Sequence, residues 1–80
     1  MYTVYAIKSK IDSRIYVGFT VDVERRLKEH NSGKTKSTKG YCPWELIYTE
    51  KIEKRIDARK REKYLKSGVG KEFLKNKMDL

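Results

Sequence analysis

Five side chains in this sequence have the types and spacing to do chemistry: Tyr5, Tyr16, Arg26, His30 and Glu62. Arg26 and His30 stand four apart, one helical turn, and therefore project together. Arginine suits a phosphate because its planar fork donates two parallel hydrogen bonds and does not deprotonate. His30 is the sole histidine, with an ordinary pKa that lets it act as base or acid near neutrality. A tyrosine hydroxyl relays a proton when its pKa is lowered and orients a water when it is not. Together such groups can activate water and hold a phosphate. Taken singly, each has a plainer reading. Tyrosines pack sheets, an arginine on a helix is a solvated charge, and a histidine near a helix C-terminus answers the helix dipole.

Glu62 discriminates between these readings. From Lys54 to Lys66 there are seven basic residues and two acids, Asp57 and Glu62. On a helix, Ala58, Glu62 and Leu65 share one stripe, which places this carboxylate inward instead of among the lysines. An inward carboxylate needs a partner. Arg26, Lys66 or a tyrosine hydroxyl would serve, and so would Mg²⁺, which is often held by one or two carboxylates plus waters and substrate phosphate.

The elements that must position these groups follow from the pattern. Residues 2–8 are β-branched and aromatic and read as a strand, and the polar stretch Lys10 to Arg14 reads as a turn. Residues 14–20 alternate, with Ile15, Val17 and Phe19 facing one way and Tyr16 and Gly18 the other. If the two strands form a hairpin, Tyr5 and Tyr16 lie on one face, and Gly18 there leaves room for a ligand or another backbone. Thr20 or Asp22 caps a helix that runs to about His30, with Asn31-Ser32-Gly33 as its end. A basic, Ser/Thr-rich loop follows from Lys34 to Pro43, where Cys42, like Trp44 after it, anchors loop and core. Trp44 to Lys51 resumes strand character, with Trp44, Leu46 and Tyr48 expected on one face. A helix over about 55–66 is broken at Ser67-Gly68, and a short helix from about Gly70 to Lys77 comes last. The order β-β-α-β-α-α predicts an α+β fold, a small sheet covered by helices.

Bulk properties narrow the function classes. Eighty residues suggest one small domain, 1–80. Twenty Lys+Arg against eleven Asp+Glu give a net charge of +9, the electrostatic footprint of a nucleic-acid binder. The expected contacts to nucleic acid are Lys34, Lys36, Ser37, Thr38, Lys39, Arg59, Lys63, Lys66 and Lys71, which neutralise phosphates without reading sequence. No apolar run approaches the roughly 18 residues a membrane span needs. The N-terminal residues show neither a basic leader nor an apolar signal core. One cysteine, Cys42, forms no internal disulfide, and with one histidine it cannot complete a four-ligand zinc site. A cytoplasmic, reducing setting is the expectation.

The chain resembles the GIY-YIG nucleases, above all their small bacterial members and more distantly the nuclease domain of the excision-repair protein UvrC and some homing endonucleases. Thr3-Val4-Tyr5 stands where that family has Gly-Ile-Tyr, and Tyr16-Val17-Gly18 where it has Tyr-Ile-Gly. The run from Asp22 to Asn31 is similar to the family helix that carries a functional Arg and, four residues on, a His or Tyr. The run from Ala58 to Lys63 is similar to its metal-binding helix, and the tail from Leu65 to Lys75 also looks familial. Tyr5 precedes Tyr16 by eleven residues and Tyr16 precedes Arg26 by ten, both matching the family spacing. Thr3 in place of a glycine, and Phe19 where many relatives carry a lysine or a small polar residue, depart from it.

The resemblance implies a three-stranded, mostly antiparallel sheet flanked by helices. It implies metal-dependent hydrolysis of DNA phosphodiesters, leaving a 5′-phosphate and a 3′-hydroxyl, of the kind used in structure-selective repair or recombination. By that resemblance Tyr16, together with His30 or without it, handles the proton of the attacking water. Arg26 steadies the phosphorus charge, Glu62 holds one Mg²⁺ or Mn²⁺, and Tyr5 hydrogen-bonds the nucleophile or holds Tyr16. Two rival readings stand beside this one: a non-catalytic basic nucleic-acid-binding module of the same fold, and a domain that binds an acidic protein. DNA against RNA, the substrate's shape, the oligomeric state (a monomer included) and the division of base duty between Tyr16 and His30 stay open at this level.

Overall fold

The computed structural model describes residues 1–78. Strand β1 (Tyr2–Ser9) is central in a three-stranded antiparallel sheet of order β2-β1-β3, with β2 at Ile15–Thr20 and β3 at Trp44–Ile52. Helix α1 (Val23–Asn31) lies between β2 and β3 in sequence, and α2 (Arg55–Lys66) and α3 (Gly68–Met78) follow β3. This is the expected α+β order, with helices on both faces of the sheet.

Alternation along β1 divides the core into two. Val4 and Ala6 meet Val17, Ala58, Leu65 and Leu74 on the face covered by α2 and α3. Tyr5 and Ile7 meet Trp44, Tyr16, Val23 and Leu27 on the face covered by α1 and the loop behind it. Ile15 and Phe19 pack with the first cluster and Tyr16 with the second, so the alternation read along β2 is correct.

The expectation for β3 needs correction. Trp44 pairs opposite Ser9 and Leu46 opposite Ile7, but Tyr48 pairs opposite Ala6, because a bulge shifts the register between Ala6 and Ile7. An extra residue in one strand reverses the phase of everything beyond it. Trp44 therefore packs on the α1 face, whereas Ile47, Tyr48 and Ile52 join the α2/α3 cluster.

The helices start and stop for local reasons. Asp22 Oδ1 accepts from the Arg25 backbone N–H at 3.1 Å and caps α1. Gly33, at φ +81°, supplies the left-handed residue beyond its end. Lys54 offers α2 no side-chain cap. Ser67 caps the end of α2 and also accepts from Gly70 N–H at 3.2 Å, so α3 begins at Gly68, two residues before the expected Gly70. Gly70 lies against α2 so closely that a Cβ there would stand 2.1 Å from the Tyr64 carbonyl oxygen and 2.4 Å from Leu65 Cα.

Gly70→Ala should therefore lower stability by about 1–3 kcal/mol in urea unfolding, since backbone must move to admit the methyl. Gly68→Ala, which meets nothing within 4 Å, should be neutral or stabilising. Equal stability of the two variants would contradict the tight α2–α3 crossing.

Candidate active site

The register of the β1–β2 pair builds the first half of the site. Tyr5 pairs opposite Gly18 and Ile7 opposite Tyr16, so both phenols stand on the α1 face. A Cβ at position 18 would lie 2.7 Å from the Tyr5 hydroxyl oxygen. The space that glycine leaves is thus filled by Tyr5 itself, not by a ligand or a second backbone.

Helix α1 supplies the second half. The Tyr5 hydroxyl is 2.9 Å from His30 Nε2, and His30 Nδ1 is 2.8 Å from Thr38 Oγ. Tyr5 is 2% exposed and His30 is fully buried. The Tyr16 ring stacks edge-on against His30 with centroids 5.0 Å apart and lies 6.5 Å from the Tyr5 ring. Tyr16 is half-buried, and none of the hydrogen bonds just named uses its hydroxyl.

Arg26 is neither free nor loosely solvated. Its Nη1 donates to Glu29 Oε1 at 2.9 Å and to Thr35 Oγ at 3.3 Å. The Glu29 carboxylate, before all else, raises the Arg26 pKa, and the neighbouring tyrosines add to it. Glu29 is in turn held below the ordinary range, chiefly by that hydrogen bond from Arg26. Beside Arg26 opens a shallow cleft lined by Thr20, Asp22, Arg25 and Glu29.

Glu62 sits on α2 between the buried Ala58 and Leu65, with its side chain 18% exposed. Its partner is Lys66, with Nζ 3.5 Å from Oε2. The Lys66 ammonium in turn lies 6.0 Å from the centroid of the Tyr16 ring. Although α2 covers the opposite face of the sheet, it brings this carboxylate near enough that its charge raises the Tyr5 pKa. Among the described residues no cluster of three or more His, Cys, Asp and Glu forms. The donor set offered to a cation is one carboxylate, which suits a hard ion that keeps waters and takes phosphate oxygens.

Burial tunes the pair at the centre. The Tyr5 pKa is pushed up to about 12, mainly by burial and then by Tyr16, with Arg26 opposing. His30 is pushed down to about 4, mainly by burial and then by the Arg26 charge. Both groups are therefore neutral near pH 7.

Among the expected nucleic-acid contacts, Lys34, Lys36, Ser37, Lys39, Arg59, Lys63, Lys66 and Lys71 are exposed. Thr38 is a correction. It is fully buried, its hydroxyl meets His30, and its carbonyl accepts from Trp44 Nε1–H at 3.0 Å, so it cannot touch a phosphate. Arg61, on the same basic helix, turns to Glu50 at 2.7 Å and over the rings of Tyr64 and Phe73. Glu29 carries a sequence signal of its own, since it stands three residues after Arg26 on one helix. Thr38 had no local signal.

The depressed His30 pKa has a stability consequence with a definite sign. Between about pH 6.5 and 4 the unfolded chain protonates its histidine while the folded chain does not, so stability falls on acidification through that window. The loss should be on the order of 3 kcal/mol at about 1.4 kcal/mol per pKa unit. Chemical denaturation from pH 7 to 4.5 should show this limb in the native chain and its loss in His30→Gln. A native chain as stable at pH 4.5 as at pH 7 would contradict the buried, neutral ring.

Comparison with known proteins agrees with this geometry. A model of the GIY-YIG catalytic domain matches residues 1–78. A UPF0213 protein of Clostridium perfringens is 42% identical over 67 residues, covering 82% of this chain and 71% of that one. The structure-specific endonuclease subunit slx1 of Xenopus laevis is 41% identical over 51 residues, 59% of this chain but 18% of that protein. The solution NMR structure of a UPF0213 protein from Bacillus halodurans superposes with a TM-score of 0.58 at 38% identity, covering 95% of this chain and 84% of that one. With its two tyrosines, arginine and histidine gathered on one sheet face and a glutamate brought in from α2, the chain belongs to the GIY-YIG family.

Proposed function

We propose that this protein is a metal-dependent endonuclease that hydrolyses DNA phosphodiester bonds, selecting its substrate by structure, in repair or recombination. The carrying observation is the convergence of Tyr5, Tyr16, Arg26 and His30 with a mostly buried carboxylate, Glu62, that the helix could have left in solvent. The relative named as a structure-specific endonuclease subunit supports the substrate class. The +9 charge and the exposed lysines supply attraction to phosphate.

The roles follow from what each side chain is free to do. Tyr16, with a hydroxyl outside the buried hydrogen bonds, orients the attacking water. Arg26, steadied by Glu29 and Thr35, directs its remaining N–H donors at the charge that develops on phosphorus. Glu62, with waters and the substrate phosphate, would hold one Mg²⁺ or Mn²⁺, exchanging the Lys66 ammonium for it. When bound, such an ion supplies charge at the non-bridging and leaving oxygens. Tyr5 borders the site and is tied to His30. The ring nitrogens of His30 already face Tyr5 and Thr38, which favours a holding role over that of a second base. A cytoplasmic site of action fits the free Cys42.

One observation favours the non-catalytic reading: the Lys66 ion pair satisfies Glu62 without a metal. Single-turnover cleavage of end-labelled flap, fork and duplex DNA with Mg²⁺, Mn²⁺ or EDTA separates the two. Glu62→Ala should slow metal-dependent cleavage by about a thousandfold or more while DNA affinity changes less than about threefold. A Glu53→Ala control should cut normally. Salt-sensitive binding with no metal-dependent product on any DNA would favour the binding module.

A further inference from the structure

Thr38 is the polar side chain of the basic loop that the proposed chemistry leaves without a task, yet it is fully buried and 2.8 Å from His30 Nδ1. Its place is fixed from several sides. Its carbonyl accepts from Trp44 Nε1–H at 3.0 Å, and Cys42 Sγ donates to the His30 carbonyl at 3.0 Å. No buried side-chain polar atom among the described residues lacks a hydrogen-bond partner. Tyr5, His30 and Thr38 therefore form one closed chain of three polar groups, in which every proton has a direction.

Two directions are conceivable. In one, Thr38 donates to Nδ1, Nε2–H donates to Tyr5, and the Tyr5 proton points outward. In the other, Nδ1–H donates to Thr38, and Tyr5 donates to Nε2. The Tyr5 end of the chain selects the second, and the Thr38 end permits it. At one end Thr38 Oγ stands 3.4 Å from the Thr35 carbonyl, which also accepts the Thr38 and Lys39 backbone N–H groups, so the Thr38 proton has a long contact available there while its oxygen accepts from Nδ1–H. At the other end the Tyr5 hydroxyl is buried and its one hydrogen-bond partner among the described residues is His30 Nε2, so a Tyr5 proton turned away from that nitrogen would have no acceptor.

We propose that Thr38 is a positioning residue that fixes His30 as the Nδ1–H tautomer, so that Tyr5 donates inward to Nε2 and offers only an acceptor oxygen toward the proposed site. Partners that fix the tautomer of a metal-bound histidine from behind change activity by about 10- to 100-fold when removed, and an effect of the same order is expected here. The kinetic consequence rests on the nuclease reading; the tautomer does not.

The test uses the full chain with ¹⁵N-labelled histidine. Long-range ¹H–¹⁵N spectra at pH 7 should show His30 protonated at Nδ1 and bare at Nε2, and Thr38→Val should move or mix that tautomer. Thr38→Val should lower kcat about 10- to 100-fold with KM unchanged, and Thr38→Ser, which keeps the hydroxyl, should restore both tautomer and kcat. An Nε2–H ring in the native chain overturns the proposal with no variant needed. So does a Thr38→Val chain that shifts the tautomer and still cuts at the native rate. If the native chain cuts no DNA, the nuclease reading fails, and the tautomer spectra of the native chain, Thr38→Val and Thr38→Ser decide the positioning role.

Discussion

The buried hydrogen bond between Tyr5 and His30 is the constraint on which the rest of the site depends. It ties the central strand to the end of α1 at 2.9 Å, across a separation of twenty-five residues. A hydroxyl and an imidazole this deep cost stability unless both are partnered. Gly18 must be a glycine so that the Tyr5 ring can lie across β2. The loop after α1 must fold back so that Thr38 reaches the far nitrogen. That return is held by Asn31, whose side-chain Oδ1 accepts from the Trp44 backbone N–H at 2.6 Å and whose Nδ2 donates to the Trp44 carbonyl at 3.2 Å. Sheet, helix and loop are thus committed to one geometry by buried polar groups that partner one another.

Charge is organised by the same economy. Arg26, Arg61 and Lys66 each have a named carboxylate: Glu29, Glu50 and Glu62. Arg26 and Arg61 are thereby held in place, one toward the cleft and the other between β3 and α3. The pairing of Lys66 with Glu62 differs in being loose and half-exposed, at 3.5 Å with Lys66 51% exposed. A pair of that kind contributes on the order of 1 kcal/mol or less. It is therefore easily exchanged, as the proposed cation-holding role of Glu62 would require.

Much of this was legible from the residues. Alternation along β2 placed Tyr16 opposite in sense to Val17, and helical spacing put Glu62 on the stripe of Ala58 and Leu65, because both depend on local periods of two and 3.6. The phase of β3 was not legible, since a bulge is set by the partner strand and leaves Tyr48 looking equivalent to Leu46 in sequence. The start of α3 was misplaced because one serine, Ser67, serves both adjoining helix ends. Thr38 looks like a surface hydroxyl in sequence because its loop is basic and polar. Only the fold reveals that this position of the loop turns beneath the site.

The most direct test of the account is a double-mutant cycle on the central hydrogen bond. Single-turnover DNA cleavage would be compared for the native chain, Tyr5→Phe, His30→Leu and the double variant, each confirmed folded. If the two groups act as one device, the double variant should be no slower than about the worse single variant. Rates that multiply, with each substitution costing the same whether or not the other is present, would contradict the account.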